Sequence, residues 1–149
     1  MNRVHRRRGK ELFQLWEHEK YLVQFQKSQY LLRVLFVYPN DYSVAVSSLA
    51  WQAVYYQLNQ SPVIQCHRSS LDFSFPLKSI ETGERYENYD LVAFHFSYEL
   101  DYIHFFQIMQ KNQIPVKKKF RTKGYPLFFC GGISPSLFPS TKPAGFLRS

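Results

Sequence analysis

Cysteine is scarce in this chain: Cys66 and Cys130 are its only two, and they lie far apart. A disulfide framework or a thiolate metal site needs more sulfurs at closer spacing, so both read as buried, inert thiols. No apolar run approaches the ~18 residues that a membrane span requires. The N-terminus is basic but has no apolar core and no small-residue cleavage site, and Glu11, Glu17 and Glu19 interrupt its charge. It therefore reads as neither signal peptide nor presequence, and the expected location is the cytoplasm. Glycine-rich phosphate cradles are missing too. Neither G-x-G-x-x-G nor G-x-x-x-x-G-K-[ST] occurs, which excludes the usual dinucleotide and nucleoside triphosphate sites. No G-x-S-x-G elbow and no paired His or Cys/His cluster offers a nucleophile or a metal centre.

What remains is a 149-residue chain, 45% hydrophobic, 20% charged and unusually aromatic, with 14 Phe and 11 Tyr. That suffices for one domain with a bulky core. The formal charge of +8 is unevenly placed. Arg3, Arg6, Arg7, Arg8 and Lys10 form one cluster, and Lys117, Lys118, Lys119, Arg121 and Lys123 another. The other nine Lys and Arg face all eleven Asp and Glu, leaving the body slightly acidic. Such runs are commonly solvated tails and loops, though they also suit nucleic acid.

Apolar runs organise the chain. Residues 1–10 read as a basic arm, and Leu12, Leu15, Trp16, Leu22 and Val23 fall at helical spacing, predicting an amphipathic helix over 11–27. Leu31–Tyr38 reads as a strand closed by the turn cluster Pro39-Asn40-Asp41. Ser47 or Ser48 can cap a helix running to Leu58, which Ser61-Pro62 ends. Val63–Cys66 predicts a short second strand, and Leu77–Ile80 a further one before a turn at Glu81-Thr82-Gly83. Leu91–Phe96 is the clearest strand, followed by a helix from Tyr98 to Asn112. Lys117–Gly124 reads as a basic loop, Leu127–Cys130 as a strand and Gly131–Pro139 as a loop.

Alternation of this kind specifies an α/β fold, a mostly parallel Rossmann-like (flavodoxin-like) sheet with helices on its faces and an extra N-terminal helix. After Pro139 only ten residues remain. That is too few for another helix and edge strand, so the last βα unit is expected to be missing. The domain plan is 1–29 for the arm and helix, and 30–149 for the α/β domain.

In such sheets ligands sit at the carboxyl ends of the strands. The candidates there are Tyr38 and Pro39 after the first strand, Ser97, Tyr98 and Glu99 after the third, and Gly131-Gly132 after the fourth. Glu99 and Asp101 can contact a ligand or cap the helix that follows. The glycines can admit a ligand or make a tight turn. His95 and His104 read as core or boundary histidines, because no acid stands at a useful spacing. His5, His18 and His67 read as surface residues.

The first strand with its Tyr38-Pro39 end and the segment Val44–Leu58 resemble the cobalamin-binding-like domain of radical S-adenosylmethionine (radical SAM) proteins. So do Phe96-Ser-Tyr-Glu-Leu-Asp-Tyr102 and Cys130-Gly-Gly132. The similarity spans about residues 31–145. It implies a Rossmann-like accessory module that precedes a barrel carrying a [4Fe–4S] cluster and S-adenosylmethionine. The C-x-x-x-C-x-x-C motif of that barrel does not occur here, so no catalytic residue and no metal site is assigned. The resemblance implies cobalamin as the ligand, with Ser97 and Gly131-Gly132 facing its nucleotide tail or corrin edge. The loop after the first strand reads Pro39-Asn-Asp-Tyr-Ser-Val-Ala-Val46, without the axial His of D-x-H-x-x-G, so binding is expected to be weak or lost. Expected partners are a barrel supplied in trans or a second copy, with no membrane. The alternative reading is a basic module that binds nucleic acid or a ribonucleoprotein.

Overall fold

A computed structural model describes residues 25–132. The apolar runs become four strands: β1 (Leu32–Tyr38), β2 (Ile64–Ser70), β3 (Leu91–Phe96) and β4 (Leu127–Gly132). All pair in parallel in the order β2-β1-β3-β4, the beginning of a doubly wound sheet. Three helices accompany them among the described residues: α1 (Tyr42–Ser47), α2 (Leu49–Gln60) and α3 (Leu100–Lys111). The fold is the expected Rossmann-like α/β arrangement.

Alternation along β1 sends its side chains into two cores. Leu35 and Val37 join Val92, Phe94, Phe96 and Phe128 beneath Phe105, Ile108 and Met109 of α3. Val34, Phe36 and Tyr38 join Cys66 beneath Tyr42 and Ala45 of α1 and Trp51 and Tyr55 of α2. Each buried Val, Leu, Ile, Phe or Met among them contributes roughly 1.5–3 kcal/mol. Ser48 caps α2, its side chain accepting a hydrogen bond from Trp51 N at 3.3 Å. No helix among the described residues is long and apolar enough to cross a membrane.

Several expectations are corrected. The short helix α1 begins within residues 39–46, which read as the loop after the first strand; Tyr42 and Ala45 bury one side of it against the sheet. Strand β2 runs to Ser70, four residues past Cys66, through the polar residues His67, Arg68, Ser69 and Ser70. His67 is not a surface residue: it is buried, its Nδ1 2.7 Å from the Tyr89 hydroxyl and its Nε2 3.0 Å from the Phe25 carbonyl. No strand forms at Leu77–Ile80, where Leu77 and Lys78 make only single bridges to Ser74 and Arg85. Gly131 and Gly132 belong to β4 rather than to a loop. The helix expected over 11–27 lies mostly outside the described residues; Phe25–Lys27 are not helical. Residues 133–149, where the missing βα unit was expected, lie outside them too.

Lys27 is instead a clasp. Its ammonium donates to the carbonyls of Asn59, Ser61 and Ile64, closing the end of α2 and the start of β2. Cations are favoured where helix carbonyls run out of partners.

Candidate functional site at the carboxyl edge of the sheet

Parallel pairing brings the ends of all four strands to one edge. Tyr38 closes β1, and Val37 pairs with Phe94, so His95 lies level with Tyr38. On the next strand Gly131 pairs with His95 and Gly132 with Phe96. Between β1 and β3 the chain departs to opposite faces, to α1 and α2 from β1 and to α3 from β3. This is the switch point at which open α/β sheets hold ligands.

The side chains there form a connected polar group. The Tyr38 ring packs against Trp51 and, 5.3 Å away, against the imidazole of His95. His95 Nε2 lies 2.9 Å from the Ser97 hydroxyl. Asp101 Oδ2 accepts from the backbone N–H groups of Ser97 at 2.7 Å and Tyr98 at 2.9 Å. Asp101 therefore ties the strand end to the first turn of α3, the capping option of the two that its position allowed. Its other oxygen, Oδ1, is buried without a hydrogen-bond partner among the described residues, as are the hydroxyls of Ser69 and Ser70 near the end of β2. From α3, His104 Nδ1 reaches the Pro39 carbonyl at 2.7 Å. A carbonyl can only accept, so Nδ1 carries the hydrogen.

Burial lowers the pKa of His95, against a smaller opposing pull from Asp101. Burial raises that of Tyr38, while its hydrogen bond with Ser97 acts the other way. Near neutral pH the imidazole and the phenol are thus uncharged, and the group is a run of neutral donors and acceptors beside one carboxylate. A nucleophile–base pair is present in outline as Ser97 and His95. Its orienting acid is not, because Asp101 holds backbone N–H groups rather than the imidazole. The arrangement suits binding of hydroxyl or amide groups better than acyl transfer.

Of the residues expected from the sequence, Tyr38, Pro39, Ser97, Tyr98 and Glu99 meet at the switch point. Tyr38 and Pro39 are buried, Ser97 is half-buried, and Tyr98 and Glu99 are exposed. Glu99 makes no capping hydrogen bond. Gly131 and Gly132 end β4, one strand further along. Gly132 has φ +134°, and a Cβ there would stand 2.0 Å from the Phe96 carbonyl oxygen. Its lack of a side chain serves close approach of its own sheet. His95 and His104, read as core or boundary histidines, are both half-buried; the serine pair Ser69-Ser70 was passed over. The one available signal for the serines was that they follow closely on the apolar run Val63–Cys66.

A family model described as the N-terminal domain of radical SAM proteins matches residues 50–144, well over half of the chain. It covers α2, β2, β3, α3 and β4, and begins after β1. No curated protein matches the chain, and no solved structure does. The chain thus belongs to the radical SAM N-terminal domain family.

Proposed function

We propose that this chain is a cobalamin-binding-like accessory domain of a radical SAM protein, without catalytic activity of its own, in which tight cobalamin binding has been lost. The family match and the parallel sheet support the accessory role. The loss is carried by one observation at the switch point. The crevice a nucleotide tail would enter is bridged by the hydrogen bond from His104 to Pro39 and backed by the buried Tyr38 ring. The loop that would supply an axial ligand, residues 39–46, contains no imidazole. These residues do not fit the corrin cofactor. The carboxyl edge instead presents Ser97, His95, Tyr98 and Glu99 toward a barrel joined to it or supplied in trans. Two free thiols, Cys66 and Cys130, suit a reducing cytoplasm.

Titration of the full chain with hydroxocobalamin, followed in the visible spectrum, tests the loss. The expected result is no stoichiometric spectral change at micromolar protein. A tight one-to-one complex would overturn it. Incubation with iron, sulfide, a strong reductant and S-adenosylmethionine tests the lack of activity. Formation of 5′-deoxyadenosine by the chain alone would sink the accessory reading.

A further inference from the structure

The opposite edge of the sheet carries a separate feature. From Tyr102 to Ser149 the chain holds eight Lys and Arg and no Asp or Glu, whereas its first 101 residues hold eleven of each. The whole excess charge therefore belongs to the C-terminal third. Half of it sits as lysines on the connection from α3 to β4, at the amino edge and away from Tyr38 and Ser97.

That connection is built to hold its lysines outward. Arg121 turns inward: its guanidinium donates to the carbonyls of Pro115 and Val116, each at 2.9 Å, and lies 5.0 Å from the centre of the Phe128 ring. This pins the loop to the core. Lys118–Phe120 form one 3-10 turn, with Lys117, Lys119 and Lys123 exposed around it. None of the four lysines pairs with an acid among the described residues. Glu84 and Glu87, acids of the segment before β3, are engaged by Arg33 and Arg85. Phe120 is 60% exposed, with the Lys119 ammonium 5.0 Å from its ring centre, and the Tyr125 ring is also exposed.

Unpaired cations interleaved with exposed rings fit one chemistry closely. Lysines neutralise phosphates and release counterions, while a flat ring takes a base on its open face whatever the sequence. We infer that the 117–125 loop binds single-stranded nucleic acid without sequence preference. An anionic membrane would also attract the lysines. It is disfavoured because the loop offers no amphipathic helix to bury and its one strongly exposed ring lies beneath an ammonium.

The experiment is fluorescence anisotropy of the full chain with a labelled 15-nucleotide oligouridine across a salt series. Affinity should fall with salt, with a log–log slope of about −2 to −3, as for three or four phosphate contacts. A variant carrying Lys117→Glu, Lys119→Glu and Lys123→Glu should bind at least tenfold more weakly, with an unchanged melting temperature. Phe120→Ala should weaken binding about tenfold while keeping the salt slope, since it removes stacking rather than charge. Three results would overturn the inference: no binding by the parent chain, unchanged affinity in both loop variants, or loss only on changing Arg6, Arg7 and Arg8 to Gln. Loop-dependent capture by phosphatidylserine vesicles without RNA binding would overturn it in favour of a membrane.

Discussion

The two edges of this sheet are built on opposite plans. Along β2 the outward backbone groups are met one after another by side chains and a returning segment. Lys27 holds the Ile64 carbonyl, and the Asn59 amide holds both N–H and C=O of Cys66, each at 3.1 Å. Glu81 takes the Arg68 N–H, and Ile80 N–H reaches the Arg68 carbonyl at 2.8 Å. Along β4 no further strand pairs among the described residues, and Leu127 and Phe129 stand 60% and 50% exposed. Open edges invite pairing with other chains, and closing one with polar groups is a recognised protection. Among the described residues one edge is closed, and the other is open and flanked by exposed apolar side chains.

The closed edge rests on a buried ion pair. Arg68 and Glu81 meet at 2.7 Å with both side chains almost fully hidden, and the guanidinium lies 4.5 Å from the Tyr55 ring centre. Removing one charge strands the other, which costs about 3–5 kcal/mol. Arg68→Met and Glu81→Leu should each lower stability by that much in urea unfolding. The double variant should recover most of the loss. If the single variants melt like the parent, the edge is held by something other than this pair.

At the open edge the most sensitive position is Gly132. A Cβ there meets the Phe96 carbonyl and forces a positive φ on an ordinary residue. Gly132→Ala should cost about 1–3 kcal/mol. Hydrogen exchange should show the change concentrated at the ends of β3 and β4. An effect spread evenly over β2 would deny that the two edges behave separately.

The closed edge should also sense pH. Burial lowers the pKa of His67, which donates from Nε2 to the Phe25 carbonyl and accepts from Tyr89. A base whose folded pKa lies below its unfolded value binds fewer protons when folded, so stability rises with pH. Nothing is lost above about pH 6.5, where both states are neutral. As pH falls through that value toward the lowered pKa, the unfolded imidazole takes up a proton that the folded one refuses. The loss approaches about 1.4 kcal/mol per pH unit for this group. His95 is lowered as well and adds to it. Urea midpoints between pH 7 and 5 should fall, and His67→Gln should flatten the slope without abolishing it. A slope untouched by His67→Gln would place the sensor elsewhere.

The smallest effect is expected where the sequence looks most hydrophobic. Leu127→Lys and Phe129→Lys change side chains that contribute little to the described core, so each should alter stability by no more than about 0.5 kcal/mol. Light scattering at high concentration should show less association than the parent. A large destabilisation would mean that this surface is already covered within the chain.

The sequence revealed the two edges unequally. β1 and β3 were legible because their apolar runs coincide with their burial, the start of β4 because its run is apolar although Leu127 and Phe129 stand exposed, and the switch point followed from where those runs stop. β2 was legible only to Cys66. His67, Arg68, Ser69 and Ser70 are buried despite their polarity, and the partners of Arg68 lie 13 and 16 residues away. No local pattern encodes a pairing across that distance. Gly131-Gly132 read as loop because pairing of bare backbone leaves no side-chain signature. At the site, the strand ends at Tyr38 and Ser97 could be located, but the bond from His104 to Pro39 spans 65 residues and depends on how α3 lies against the sheet.

The strand order also has a meaning in time. A chain made from its N-terminus completes β1, then β2, then β3, then β4. In the order β2-β1-β3-β4 every new strand finds its neighbour already made: β2 joins one side of β1, β3 joins the other, and β4 joins β3. No strand has to insert between two that are already paired. The described part of the sheet can therefore grow outward as it emerges, sealing its β2 edge once Glu81 appears and adding β4 last.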